Sequence, residues 1–199
     1  MKDFRARRWQ QEDRNPMMTV FEKAGRYPDI IDLSIGDPDL KTPQKIIDLA
    51  FADAGAGHTK YTDPWGDPEL REEIARFYAE EYGVALGERE IFVSTAGCVA
   101  MYLVMEAILD PGDEVLVERP SYLAALQTFH LYDPEVLTVG LTESGADCDE
   151  LEELLKHHSP KFFYAIPNFQ NPTGLTYSKE VRERVATLVA STNMLMVED

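Results

Sequence analysis

The chain has 199 residues, of which 44% are hydrophobic and 28% charged, a composition that is ordinary for a soluble globular protein. Its 36 acidic and 19 basic residues give a formal net charge of -17, which argues against binding to nucleic acid or to anionic membranes. Two cysteines make no disulfide framework, no apolar run approaches the roughly 18 residues of a membrane span, and no signal-peptide core opens the chain. We therefore expect a cytoplasmic protein with one large domain and part of a second.

The N-terminal segment is predicted to be an arm or short helix that docks on something else. Residues 1 to 29 are polar and charged and carry little core of their own. The weakly alternating segment from Ile30 stops at the turn signal Gly36-Asp37-Pro38-Asp39. Pro43 then opens an amphipathic helix that is predicted to end near Gly55 or Gly57.

The helix after the loop at 58–66 has the clearest boundaries in the sequence. Asp67 is the predicted N-cap, Pro68 occupies the first helical position, and glutamates in the first turn suit the positive end of the helix dipole. Gly83 is predicted to end this helix.

From residue 90 onward, strands and helices are predicted to alternate. The strands are expected at Ile91–Ser94, Glu114–Val117, Val136–Val139, Phe162–Ile166 and Met194–Val197. The helices are expected at about 98–109, 121–131, 149–157 and 179–190, with Ser121, Asp149 and Ser178 as N-caps. This alternation predicts an α/β fold that is doubly wound, with a mostly parallel sheet and helices on both faces, preceded by the N-terminal arm.

Unusual residues follow the predicted strands, where a parallel sheet presents its carboxyl ends. Ala96-Gly97-Cys98 follows the first strand and Tyr122 the second, whereas Asn171 follows the strand at 162 and Asp199 follows the last. The loop that carries Asn171 also contains two prolines and a glycine, which restrict its backbone. A helix N-terminus, an aromatic ring, an amide and a carboxylate would together suit a planar, phosphorylated, nitrogen-containing ring.

With these motifs in this order, the chain resembles the class I/II aminotransferases, pyridoxal-phosphate enzymes of fold type I, from about Ile31 to Asp199. The resemblance implies the PLP-dependent transferase-like large domain, truncated, at 43–199, after an arm and part of the small domain at 1–42. It also implies pyridoxal 5'-phosphate as cofactor, amino acid and 2-oxo acid substrates, and a homodimer when full length.

The resemblance assigns a role to each candidate site residue. Ala96, Gly97 and Cys98 match the phosphate loop, Tyr122 the aromatic that stacks on the pyridine ring, and Asn171 the amide that hydrogen-bonds the phenolic oxygen. Asp199 matches the carboxylate that pairs with the ring nitrogen, Tyr61 a tyrosine that reaches the neighbouring subunit's cofactor phosphate, and Gly36 a glycine near the substrate. It further implies cis peptide bonds before Pro120 and Pro172.

One component of the family's chemistry is missing from the sequence. In relatives the Schiff-base lysine follows the ring-nitrogen aspartate, whereas every lysine here precedes Asp199, and Lys179 is interpreted as the start of a helix. We therefore expect an N-terminal half that has no catalytic residue of its own, leaves a strand edge uncovered and is inactive by itself.

Other functions stay open from the sequence. A pyridoxal-phosphate-dependent lyase would share these residues, and a non-catalytic sensing or interaction domain of the same fold would keep the shape without the reaction. No nucleic-acid partner, membrane association or metal site is expected.

Overall fold

The computed structural model describes residues 4, 6, 16–31, 33, 36 and 38–199. The contacts of the chain divide it into two units, Met1–Phe92 and Val93–Asp199. Most of the predicted arm, and part of the segment from Ile30 to Asp39, lie outside the described residues. The domain boundary predicted after residue 42 stays a prediction, because a unit defined by contacts is not the same as a domain.

The regular secondary structure of the first unit, where it is described, consists of helices. It contains α1 (Pro16–Ala24), α2 (Gln44–Gly55), α3 (Pro68–Tyr82) and a 3₁₀ turn at Glu88–Glu90. The boundaries predicted for α3 are confirmed, since the Asp67 side chain accepts hydrogen bonds from the N–H groups of Glu69 and Leu70, at 3.0 and 3.2 Å. Gly83 follows in the left-handed conformation, with φ of 67°, and ends the helix.

The second unit is a five-stranded sheet with four helices. Its helices are α4 (Gly97–Ile108), α5 (Leu123–Phe129), α6 (Cys148–Leu155) and α7 (Lys179–Ala190). Its strands are β1 (Glu114–Arg119), β2 (Glu135–Thr142), β3 (Gly145–Ala146), β4 (Phe162–Ala165) and β5 (Leu195–Glu198), in the order β3-β2-β1-β4-β5. The pairs β1–β2, β1–β4 and β4–β5 are parallel, and β2–β3 is antiparallel. The predicted α/β fold with a mostly parallel sheet is therefore confirmed.

Both faces of this sheet are covered, as a doubly wound fold requires. In β4, Phe162 and Tyr164 pack into one core with residues of α4 and α5, whereas Phe163 and Ala165 pack into a second core with residues of α6 and α7. This separation follows from the alternation of side chains along a strand, and it explains why β4 is apolar at every position.

Three local predictions are wrong. Residues 91–94 form no strand, since this segment has no strand partner among the described residues, although Ile91 is buried. The N-cap of α6 is Asp147 rather than Asp149, because the Asp147 carboxylate accepts from the N–H groups of Asp149 and Glu150 at 3.0 Å each. Tyr122, not Ser121, is the N-cap of α5. Ser178 does cap α7, by accepting from the N–H of Val181.

Within residues 16–31 and 38–199, every helix is too short or too polar to cross a bilayer.

A half-buried carboxylate, that of Glu114, connects the start of β1 to the segment after α6. Glu114 Oε1 lies 2.7 Å from His158 Nδ1, and Oε2 accepts from the Ser159 N–H at 2.8 Å. The hydrogen bond with His158, followed by the one from the Ser159 N–H, lowers the pKa of Glu114 below its ordinary value of 4.5. These bonds are made to the ionised carboxylate, so they stabilise the folded state only while Glu114 is charged.

Glu114→Gln is therefore expected to remove a pH-dependent part of the folding free energy. Because the folded pKa is lowered, the contribution is fully present above pH 4.5 and is lost as the pH falls through the folded value. Urea unfolding at neutral pH and between about pH 3 and 5 should show a wild-type advantage that shrinks on acidification. The exposed control Glu143→Gln should match wild type throughout, and an advantage that grows in acid would contradict the assignment.

Candidate cofactor site

The candidate residues of the second unit lie at the carboxyl edge of the sheet. Since β1, β4 and β5 run parallel, their carboxyl ends meet at the same edge. Tyr122 follows the end of β1 by three residues, and Asp199 comes directly after β5. Two of the predicted residues are thus delivered to this edge by strands that flank β4.

Asp199 is held in place by β4. Its N–H donates to the carbonyl of Ala165 at 3.1 Å, which extends the strand pairing past the end of β5. The Tyr164 hydroxyl donates to Asp199 Oδ2 at 2.5 Å. Tyr164 is fully buried, and this burial, followed by the bond to the carboxylate, raises the pKa of its hydroxyl. The tyrosine therefore remains a donor and orients the carboxylate, while the Asp199 side chain itself stays exposed.

Tyr122 joins the same group of side chains. Its ring packs against the core that contains Tyr164, and its hydroxyl lies 3.9 Å from Cys98 Sγ. The contact with Cys98 and partial burial raise the pKa of Tyr122, and the negative charge of Asp199 adds to the shift. Cys98, Tyr122, Tyr164 and Asp199 come from four separate elements, and the fold brings them to one place.

Within the described part of the chain, the first N–H groups of α4, next to Tyr122, have no hydrogen-bond partner. Ala96 is the N-cap and supplies no side-chain oxygen, so the first N–H groups of α4, at Gly97 and Cys98, are not capped by a side chain. A Cβ added at Gly97 would meet nothing within 4 Å, so the space beside it is open. Uncapped donors, a helix dipole and free space are the features of an anion site at a helix N-terminus.

Asn171 lies in the loop between β4 and α7, residues 166–178, which we call the amide loop. Gln170 Nε2 donates to the carbonyl of Pro120 at 2.8 Å, so this loop is attached to the segment just after β1. The Asn171 side chain is exposed. The peptide bonds Arg119–Pro120 and Asn171–Pro172 are both cis, which confirms the geometry that the resemblance implies.

The remaining candidates belong to the first unit or to another element. Gly36 and Tyr61 lie in the first unit, where the Tyr61 side chain is fully exposed, and their roles stay predictions. Lys179 is the first residue of α7, as expected, and its ammonium lies 3.7 Å from the Glu183 carboxylate on an exposed helix surface.

The sequence did not identify the polar residues that support this site. From the sequence, Tyr164 is only one residue of the strand predicted at Phe162–Ile166, and Glu118, Gln170 and Arg182 carry no predicted role. A signal was present, since Glu118 is a carboxylate directly after the buried residues Val115–Val117 of β1. A charged residue at the end of a buried strand needs a partner, but the sequence does not say which residue provides it.

A family model supplies an independent comparison. The model described as aminotransferase class I and II matches residues 28–199. The chain belongs to this family. Members of the family depend on pyridoxal phosphate, and the match covers the whole of the second unit together with most of the described first unit.

Individual relatives agree with the family assignment. The chain is 29% identical over 187 residues to an aspartate aminotransferase of Pyrococcus horikoshii, covering 94% of this chain and 48% of the relative. It is 43% identical over 126 residues to a 2-aminoadipate transaminase of Thermus thermophilus, covering 63% of this chain and 31% of the relative. The solved structure of a Pyrococcus horikoshii kynurenine aminotransferase, in complex with PMP, matches with a TM-score of 0.88 and 30% identity, covering 98% of this chain and 50% of that one. The chain thus spans about half the length, or less, of the relatives it matches.

The two cysteines are expected to differ in reactivity towards a thiol reagent. Cys98 is exposed at the start of α4, whereas Cys148 is buried, and burial raises the pKa of its thiol. A disulfide-exchange reagent should therefore modify one thiol rapidly in the native chain and the second only after denaturation. Cys98→Ser should abolish the rapid phase, and a rapid phase that survives in this variant would contradict the assigned exposure.

Proposed function

We propose that the protein that carries this chain is a pyridoxal-phosphate-dependent aminotransferase, which moves an amino group between an amino acid and a 2-oxo acid. The observation that carries the proposal is the grouping of Asp199, Tyr122 and the uncapped N-terminus of α4 at one edge of a parallel sheet. Membership of the aminotransferase family supports the same reaction class.

The residues present fit the cofactor chemically. Asp199 Oδ2 accepts from Tyr164, so Oδ1 remains to hold a proton on a ring nitrogen. The uncapped N–H groups of Gly97 and Cys98 suit a phosphate, and the Tyr122 ring provides a flat surface for stacking. When bound, pyridoxal phosphate supplies an electron-accepting ring, and a carboxylate that keeps the ring nitrogen protonated strengthens that capacity.

The finer parts of the proposal concern assembly, location and substrate. Tyr61 is fully exposed in its own chain, which suits a residue that contacts a second subunit, and we include a cytoplasmic homodimer in the proposal. The relatives are named for aspartate, 2-aminoadipate and kynurenine. Family membership therefore supports an amino acid as the donor of the amino group but does not specify which one.

Binding of pyridoxal phosphate tests the cofactor assignment directly. Titration of the protein that carries this chain with pyridoxal phosphate, followed by the circular dichroism induced in the cofactor's absorption band, should give saturable binding. Asp199→Asn removes a charged partner of the ring and should weaken binding by about 10- to 100-fold. Asp133→Asn is the matched control, since Asp133 lies at the amino edge of the sheet, where its carbonyl accepts from the Gly112 N–H. Equal affinities for the two variants would contradict the site.

The reaction itself is tested by its dependence on a second substrate. For the protein that carries this chain, release of a 2-oxo acid from an amino acid should continue beyond one turnover only when another 2-oxo acid is added. An aminotransferase needs that acceptor to regenerate its cofactor, whereas a lyase does not. Sustained product formation without an added 2-oxo acid would therefore favour β-elimination or decarboxylation over transamination.

A further inference from the structure

Two buried polar side chains contact each other on the face of the sheet that packs against α6 and α7. Glu118 and Gln170 are each only 1% exposed, and Gln170 Nε2 donates to Glu118 Oε2 at 3.0 Å. The proposed chemistry uses neither residue. A buried carboxylate is costly unless hydrogen bonds satisfy it, so its partners indicate its role.

Among the described residues, three groups donate hydrogen bonds to Glu118, and all three come from the segment that carries Asn171. Oε2 accepts from the Gln170 side chain and from the Ile166 N–H at 3.3 Å, and Oε1 accepts from the Tyr177 hydroxyl. Ile166 begins the amide loop and Tyr177 lies at its end. The carboxylate at the end of β1 therefore binds the beginning, the middle and the end of the loop at once.

Tyr177 can reach Glu118 because a glycine lies beneath its ring. A Cβ added at Gly145 in β3 would come within 2.8 Å of the Tyr177 ring atoms, and Gly145 has φ of +128°. Burial raises the pKa of the Tyr177 hydroxyl, and the bond to Glu118 raises it further. The hydroxyl therefore stays protonated and donates. The aromatic ring thus has one well-defined position, with its hydroxyl directed at the carboxylate.

Gln170 also hydrogen-bonds to a residue beside Asn171, so it connects Glu118 to the middle of the amide loop. Its Oε1 accepts from the N–H and the hydroxyl of Thr173, at 2.9 and 2.7 Å, and its Nε2 also donates to the Pro120 carbonyl. From the other side of the loop, Arg182 donates to the Pro167 carbonyl at 2.9 Å and to Asn168 Oδ1 at 2.8 Å. Asn171 itself is exposed, so its position depends on these neighbours rather than on contacts of its own.

We propose that Glu118 is a positioning residue that fixes the amide loop against the end of β1 and thereby sets the position of the Asn171 amide relative to Tyr122. The proposal rests on the proposed function, because Asn171 is there assigned to the cofactor. Glu118 touches neither cofactor nor substrate in this scheme and acts through the loop.

Glu118→Gln tests the proposal with little change in shape. An amide can keep the bonds from Ile166 and Gln170 only by turning its NH₂ group toward Tyr177, so the bond with the hydroxyl must reverse direction and loses its charge. Tyr177→Phe removes the same bond from the other side and tests it in a chain with an intact carboxylate. Glu135→Gln is the matched control, an exposed glutamate at the start of β2.

Chymotrypsin reports on the loop without any cofactor. Phe169 is 81% exposed, so the loop offers an accessible cleavage site whose resistance depends on how firmly the backbone is held. Glu118→Gln and Tyr177→Phe should each raise the rate of cleavage after Phe169 by about tenfold, with Glu135→Gln unchanged. General loss of stability would instead accelerate cleavage at the buried Phe162 and Phe163 in parallel. Cleavage after Phe169 at the wild-type rate in both variants would overturn the proposal.

A double-mutant cycle connects the loop to the cofactor. Glu118→Gln and Asn171→Ala should each weaken binding of pyridoxal phosphate by about tenfold, and the double variant should be little weaker than either single one. With Asp199→Asn as the second change, the effects should add. Full additivity with Asn171→Ala would overturn the role of Glu118 in positioning that amide. Absence of cofactor binding by the wild-type protein that carries this chain would instead contradict the proposed function, and the cleavage experiment would still decide whether Glu118 holds the loop.

Discussion

The parallel pairing of β1, β4 and β5 is the constraint on which the candidate site depends. Val115 to Val117 of β1 lie opposite Phe162 to Tyr164 of β4, which in turn lie opposite Leu195 to Val197 of β5. With the three strands in this register, Tyr122 and Asp199 reach the same edge although 77 positions separate them in the chain. A shift of one residue in β5 would turn Asp199 to the opposite face of the sheet and away from the Tyr164 hydroxyl.

The alternation of side chains divides the polar residues at this edge into two groups. Tyr164 lies on the face that packs against α4 and α5, and it orients the Asp199 carboxylate, which is exposed. Glu118 continues the alternation of Leu116, which lies in the core against α6 and α7, and its carboxylate is buried. The same edge thus carries the exposed Asp199 carboxylate, which is available to a ligand, and the buried Glu118 carboxylate, which is hydrogen-bonded to the amide loop.

The exposed and buried carboxylates differ in what they require from their surroundings. Asp199 needs a single tyrosine to orient it, since solvent satisfies the rest of its hydrogen-bonding capacity. Glu118 is excluded from solvent and needs three donors, and the amide loop supplies all of them. Because the buried Glu118 carboxylate must be hydrogen-bonded, the donors that satisfy it also fix the amide loop, a segment that contains two prolines and a glycine.

The boundaries of α3 and the position of β4 could be predicted from the sequence, because both depend on residues close together in the chain. Asp67, Pro68 and Gly83 bound α3 through contacts within a few residues, and the apolar run at Phe162–Ala165 marks a strand covered on both faces. The motifs after the strands were enough to indicate the family, and they predict roles for Tyr122, Asn171 and Asp199. Only the tertiary structure decided that residues 91–94 pair with no described strand, that Tyr164 holds Asp199, and that Glu118 binds Gln170 and Tyr177. The side-chain hydrogen bonds of Asp199 and Glu118 join residues that lie 35 or more positions apart, and the segment 91–94 lacks a strand partner among the described residues. Hydrophobic periodicity and helix-capping residues are local features, so they do not tell which distant donor meets which acceptor.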